Sequence, residues 1–521
     1  NGWNGNVGFS QARLEVEGKM KSWFYKMQYD FANSTVQLWN TNVSNAATGI
    51  GPNNTVTSAV TDRNFLWGGW RDAFVGLQDE RISHPMLAQP VYFKIGSQYE
   101  GFSLEAIESS KYRDLIERPL AADAIAPYRH LGAAFGLIGK DNWTGHFGVY
   151  SLSLQDLNAR PVNTSSGNYD AYVYNYPAVG APGKGAGASP WYQAYGGGAY
   201  WETTGRLTWA PIFDEHRLLH VGVAGSYHQN NSATAYSDDR NSAPGNRLGS
   251  EANVLGTTFL GTTDLSCGKF NQPQGYGVSV QGAAGRCINN IEKLGLEAAA
   301  SWHNLYIQGE YMLANYNRNP NQAVQFAAAQ GATGTVANGP FGTGPFISPA
   351  NSRYVMQGGY VMGEYWITGE EKAQSYDQTS KNGAEFAQLK IKDKFSDGGW
   401  GAWGLVGRWS VLNMNNGPYQ GSTMPNMLQL ATINQSGAAI SSATQAYMTS
   451  AQNLIANSGI YGGYQQNVTG GINWYPDNGV AFQFNATHVM ALKSPLNWNP
   501  LATYESGYHP TMLELRTKVY F

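Results

Sequence analysis

Between Glu105 and Arg118 the chain crowds carboxylates (Glu105, Glu108, Asp114, Glu117), cations (Lys111, Arg113, Arg118) and two adjacent hydroxyls, Ser109 and Ser110. Such a mixture suits contact with hydrated ions or small polar solutes better than covalent chemistry, which needs a nucleophile beside a base. The expected division of labour is that Arg113 or Arg118, with Ser109 and Ser110, contacts anions while Glu105, Glu108 and Asp114 supply the opposing sign. The three- and four-residue spacings also suit a short helix braced by its own ion pairs. Motifs for catalysis are otherwise missing. The nine His are scattered, with no His-Glu-X-X-His pair and no Cys-His metal spacing, and there is neither a Gly-X-Ser-X-Gly elbow nor a phosphate-binding Gly-X-X-X-X-Gly-Lys-Ser/Thr loop. No catalytic residue, metal or cofactor is expected, and the chain does not read as an enzyme.

These charges must be placed by the elements around them. Segments of about ten residues alternate apolar and polar side chains, the period that separates two faces of a strand. The last one sets Leu513, Leu515, Thr517, Val519 and Phe521 against Glu514, Arg516, Lys518 and Tyr520. Fifteen strands are expected, at about 7–18, 22–33, 71–82, 91–99, 129–140, 143–154, 199–210, 217–230, 292–302, 304–316, 353–369, 400–414, 464–475, 479–493 and 512–521. Their connections alternate between short turns and long polar loops, as in barrels that cross a membrane. Segment 370–399 breaks the alternation and is expected to be an elaborated periplasmic turn, with an extra strand over Phe386–Lys392 as the alternative.

Strand parity then sorts the remaining charges. Arg13, Lys26, Lys94, Arg206, Arg408, Arg516 and Lys518 are expected to point inward, with Glu15, Glu17, Asp30, Glu202, Glu297, Glu310, Glu364 and Glu514. A lining of mixed sign selects ions weakly, whereas a ring of one sign selects the opposite ion. Many such groups brace the wall as cross-strand pairs. His220 and His228 share the inward face, lining the lumen or packing against loops.

Composition narrows the class. Charged residues are 13% of the 521, about half the usual globular share, while Gly reaches 63 and Tyr 32. No apolar run approaches the roughly 20 residues of a membrane helix, and mean hydropathy is −0.38. A net charge of −3 with no basic tail argues against nucleic acid. Cys267 and Cys287 are expected to close one disulfide within the long extracellular loop 231–291. The reading is therefore all-β: one domain over 1–521, an antiparallel transmembrane β-barrel. Fifteen strands would break the even-number rule for single-chain bacterial barrels, so a sixteenth is expected upstream of Asn1.

The segment Val91-Tyr92-Phe93-Lys94-Ile95-Gly96, followed by Gly101-Phe102-Ser103-Leu104-Glu105, Ser109-Ser110-Lys111 and Leu115-Ile116-Glu117-Arg118, resembles the strand and pore-entering third loop of the phosphate-selective porin O and P family. Gly359–Glu370 and Gly470-Gly471-Ile472-Asn473-Trp474-Tyr475 add to the resemblance, as does the order of the strands. It implies a sixteen-stranded, homotrimeric channel whose third loop, 100–128 here, folds inward and narrows the lumen. It implies that Ser109, Ser110 and Arg118 contact an anion. Ala106 stands where the family's loop lysine would be, and Ser10 and Gln11 stand at its paired arginines. The expected function is passive diffusion of ions and small hydrophilic solutes, with anions such as phosphate among them, through the outer membrane of a Gram-negative-type cell, in contact with its lipid and lipopolysaccharide. The alternative is a surface-array or adhesion barrel whose long neutral loops bind neighbouring proteins.

Overall fold

The computed structural model describes residues 7–8, 10–33, 69–151, 201–229, 247–249, 258–261, 288–318, 353–415, 461–493, 507 and 509–520. In chain order the elements are β1 Arg13–Met20, β2 Trp23–Asp30, β3 Trp70–Gln78, β4 Tyr92–Tyr99, α1 Leu104–Ile107, α2 Leu120–Ile125, β5 Arg129–Ile138, β6 Trp143–Tyr150, β7 Trp201–Phe213, β8 Arg217–Gln229, β9 Arg247–Gly249, β10 Thr258–Gly261, β11 Ile288–Trp302, β12 Leu305–Arg318, β13 Arg353–Trp366, β14 Tyr376–Asp377, β15 Glu385–Phe386, β16 Ala402–Asn415, β17 Tyr461–Tyr475, β18 Val480–Lys493 and β19 Thr511–Val519. Fifteen of the strands form one sheet in sequence order, from β1 at one edge to β19 at the other. The short pairs β9–β10 and β14–β15 stand outside it.

Every ladder of the large sheet is antiparallel with its sequence neighbour, apart from β8 pairing β11 and β13 pairing β16 across the two inserted pairs. Two of the hairpins, β1–β2 and β11–β12, close with two-residue turns. Trp302 pairs with Leu305 across His303-Asn304, and His303 adopts a φ of 50°, which primed hairpin turns demand. The fifteen expected strands correspond one to one with these, although β1 begins at Arg13 rather than Val7. Cys267, Cys287 and most of 231–291 lie outside the described residues.

Alternation fixes the two faces. In β18, Ala481, Gln483, Asn485, Thr487 and Val489 are buried while Phe482 and Phe484 are exposed. The exposed face carries Leu14, Val16, Val75, Ile95, Leu207, Val221, Ile307, Val361, Leu405, Ile472 and Leu515. An apolar outer face of that extent suits hydrocarbon. At its short-turn end stands an aromatic set that includes Trp23, Trp209, Trp302 and Trp400, with Trp474 stacked on Trp403 at 5.4 Å.

The core is on the other face. Residues 100–128, here loop three, pack Phe102, Ala106, Leu120 and Ile125 against Ile291, Met312, Met356, Leu412 and Val489. Segment 370–399 packs Ala373, Tyr376, Ala384 and Phe386 against Ala210, Leu218, Ala299, Tyr306 and Met362. This segment, expected to be an elaborated periplasmic turn, lies folded against the inward face. Of its strand-like run Phe386–Lys392 only Phe386 pairs in a ladder, with Tyr376. Leu389 and Ile391 keep the alternation because they pack on Trp366 and Tyr475 of the wall, not because a neighbouring strand pairs with them.

Candidate constriction site

Loop three leaves β4, turns into α1, runs without regular structure through 108–119 and re-enters the sheet by way of α2. The helix expected across Glu105–Arg118 is thus confined to α1, capped by Ser103, whose hydroxyl accepts from the Ala106 amide at 3.1 Å. The physical reason is where the charges find partners. Lys111 pairs with Glu15 of β1 at 3.3 Å, and Asp114 and Glu108 pair with Lys372 at 2.6 and 4.0 Å. Charges that bond outward cannot brace a helix among themselves.

Anchoring follows a rule of sign. Where loop three presents amides, the wall offers carboxylates: the Leu104 N–H donates to Glu297 at 3.0 Å and the Glu105 N–H to Glu310 at 2.8 Å. Both amides belong to the first turn of α1, where unsatisfied N–H groups favour anions. Where the loop presents carbonyls, the wall offers cations and amides. Arg408 donates to the Glu117 carbonyl at 2.9 Å, Arg516 to those of Ile116 and Leu115 at 2.9 and 3.3 Å, and Lys518 to those of Arg113 and Lys111 at 2.9 and 3.2 Å. Gln483 and Asn473 donate to the Asp114 carbonyl at 3.0 and 2.8 Å.

Most of the charges assigned to the inward face have partners. Arg13 pairs with Asp30 at 2.9 Å, Lys26 with Glu15 and Glu17 at 3.2 and 3.5 Å, and Arg206 with Glu297 at 2.6 Å. Lys94 donates to Asn382 at 3.1 Å, Glu364 accepts from Asn473 at 2.8 Å, and Glu202 faces His228 at 3.4 Å. Glu514 lies half-buried beside Arg516 on the inward side of β19. His220 bonds Tyr376 of segment 370–399 at 2.7 Å and Glu297 at 3.0 Å, the packing role rather than a lumen-lining one.

Within loop three, Arg118 spends its donors on the Ala106 carbonyl at 3.0 Å and the Tyr99 hydroxyl at 3.2 Å. Ser110 donates to Gln11 at 2.6 Å and accepts from Arg13 at 3.1 Å. Gln11 therefore engages one of the two serines. Ser109 accepts from the Lys111 amide at 3.4 Å. Lys111 touches both edges of the sheet, its ammonium on Glu15 of β1 and its carbonyl on Lys518 of β19. Tyr112 adds a ring contact with Tyr520 at 5.9 Å.

Sequence reasoning missed Asp72, Arg129 and Lys372. Asp72 of β3 shares the inward parity of Phe74 and bonds Arg129 at 2.7 Å, so parity was a usable signal. Lys372 had none, because its partners Asp114 and Glu108 come from loop three. Burial alone would depress this ammonium, but Asp114, Glu108 and Glu364 around it more than reverse that and hold it above its usual range. Burial likewise holds the Glu108 carboxyl well above the carboxylate range against the pull of Lys372. Arg113, fully inside, is depressed by burial and by neighbouring Arg118.

A family model described as phosphate-selective porin O and P matches residues 1–521. No curated protein sequence matches the chain. Among solved structures, OprB of Pseudomonas putida is 8% identical over 98% of this chain and 87% of its own, with a TM-score of 0.37. OmpT of Vibrio cholerae is 8% identical over 98% and 89%, with a TM-score of 0.35, and OccD3 of Pseudomonas aeruginosa is 9% identical over 97% and 85%, with a TM-score of 0.31.

Proposed function

The chain belongs to the phosphate-selective porin O and P family, an integral outer-membrane β-barrel protein that forms a channel for small solutes, and from that premise we propose that it passes ions and small hydrophilic solutes by passive diffusion with a modest preference for anions, phosphate among them. The observation that carries the preference is where inward cations stay open. Arg13, Lys26, Arg71 and Lys111 keep 20, 25, 19 and 29% of their side chains accessible, whereas Arg206 and Lys372 keep 1 and 3%. The open ones share β1 to β3 and the adjoining part of loop three. The passage is therefore assigned to this side, narrowed by segment 370–399, which packs on β7, β8, β11, β12 and β13 and reaches across to Gln78 of β3 and Lys94 of β4. Glu15 and Glu17 stand in the same strip, which keeps the preference modest.

Closure belongs to the same proposal. A sixteenth strand between the free edges of β1 and β19 would satisfy the even-number rule and leave no unpaired backbone in lipid. The reach of Lys111 to both edges supports a sheet curled that far. The family further implies a homotrimer set in outer-membrane lipid and lipopolysaccharide. The deciding experiment is the reversal potential in planar bilayers under a salt gradient, with phosphate titrated against the chloride current. The expected result is an anion-side reversal that moves toward zero in Arg13→Ala/Lys111→Ala, with phosphate lowering the chloride current. A cation-side reversal, or one unmoved by the double substitution, overturns the reading.

A further inference from the structure

At the short-turn end of the sheet, three connections far apart in sequence bring together two imidazoles and a carboxylate. His216 closes the turn between β7 and β8, His303 the turn between β11 and β12, and Glu371 opens segment 370–399 beyond β13. One ligand atom of each lies within 4.8 Å of the other two. The two His are exposed while Glu371 is buried, so the group is open to solvent on one side and fixed on the other. The backbone holds the two turns together, because the His303 N–H donates to the His216 carbonyl at 2.7 Å. The two rings lie 5.2 Å apart, and His216 Nδ1 meets Glu371 Oε2 at 2.5 Å. The second carboxylate oxygen accepts from Lys392 at 3.2 Å. Among the described residues, neither ring nitrogen of His303 has a protein hydrogen-bond partner, which leaves a lone pair available.

We propose that His216, His303 and Glu371 bind a divalent transition-metal ion of the zinc class. Two imidazoles and one carboxylate suit the borderline metals, and three protein ligands leave a position for water. Hard cations such as Mg2+ prefer all-oxygen sets and are not expected to compete. The ion takes the place of the proton shared by His216 and Glu371, and small rotations of two exposed rings bring the three atoms to bonding distance. Its mechanical effect is to clip segment 370–399 to two wall turns at the mouth of the barrel. Lys392 opposes binding, since its ammonium sits on the same carboxylate.

Untagged protein in detergent micelles tests this by titration with Zn2+ against a chromogenic chelator, and with Co2+ followed by its visible absorption. The expected result is a single site of micromolar affinity with Co2+ bands of a nitrogen–oxygen set. His216→Ala should weaken it roughly tenfold or more, the scale on which losses around a metal are felt. His303→Asn should do the same and keeps the turn, because asparagine tolerates the positive φ there. Lys392→Met should tighten binding. Absence of Zn2+ binding up to millimolar concentration, or affinity unchanged in both histidine variants, overturns the proposal.

Discussion

Between its apolar ends loop three is gripped by charge, whereas segment 370–399 is gripped mainly by rings. The wall reaches the first through its backbone: Glu297 and Glu310 take its amides, and Arg408, Arg516 and Lys518 take its carbonyls. The second is held chiefly by Phe386, whose ring meets those of Tyr306 at 5.0 Å and Tyr376 at 5.5 Å, with Arg206 on the Ala384 carbonyl at 2.9 Å. The difference teaches that inward charge in this barrel is mostly scaffolding. A charged side chain that has given its donors to a loop carbonyl has few left for a passing ion, and the part-open cations with ion-pair partners on the strands lie on β1–β3, together with Lys111.

Lys372 is where the two segments meet, so its loss is the largest effect expected. Its ammonium lies 2.6 Å from Asp114 and over the rings of Tyr306 and Phe386 at 5.4 and 5.5 Å. Lys372→Met should leave buried carboxylates without their cation, at a cost of about 3–5 kcal/mol. Thermal unfolding should shift down and amide exchange through 104–118 should accelerate. Unchanged exchange in loop three would mean that the two segments are held independently.

Phe386→Ala should come next, at about 3–5 kcal/mol for truncating a buried ring. Here exchange should quicken in 372–386 and leave loop three protected, the reverse of the pattern for a shared anchor. Single-channel conductance should rise as the segment loosens. Equal loss of protection in both segments would erase the distinction between a charge-held and a ring-held insert.

How much of this was legible in the sequence follows the same division. Strands and their faces were, because a period of two is local and survives any neighbour: Lys94, Glu310 and Arg516 fell on the inward face as parity placed them. The entry of loop three was legible through residues 91–119. Its helix was not, since three- and four-residue spacings arise as readily in an irregular segment whose charges bond to strands. Segment 370–399 was read from its place in the alternation of connections as an elaborated periplasmic turn, which says nothing of the face it packs on. Lys372 and Asp114 are 258 residues apart, and no local pattern announces such a pair. Open cations and buried ones carry the same letters, so exposure on β1–β3 had no signature at all.

A smaller effect, in pH, sharpens the contrast by acting on the ring-held segment. Burial, with Asp377 nearby, lifts the half-buried Glu385 carboxyl to about 7, although Ser380 donates to it. The folded state thus keeps a proton that the unfolded chain releases near its ordinary value of 4.5. That contribution is full below the unfolded pKa and is lost as pH rises through about 7. Lys381 runs the other way: burial lowers it to about 8, so the folded state sheds its proton first and stability returns between there and 10.5. Protection of 376–386 should therefore fall from pH 5 to pH 7.5 and recover toward pH 10, and Glu385→Gln should flatten the acid limb alone. An acid limb that persists in Glu385→Gln would assign it to another group.

The smallest expected change tests the charge-held side where it meets the passage. Ser110 ties loop three to β1 by donating to Gln11 and accepting from Arg13. Ser110→Ala removes two hydrogen bonds from a buried hydroxyl, but its partner Arg13 is part-open and water can replace much of what the guanidinium loses, so stability should fall by only about 1 kcal/mol. The consequence for permeation should be out of proportion to that cost. Arg13 loses one of the groups that fix it and keeps Asp30, so the guanidinium gains freedom toward the lumen without losing its charge. Ion preference should move slightly toward anions while conductance stays level. A shift toward cations would mean that the serine hydroxyl, rather than the arginine it holds, is what a passing anion meets.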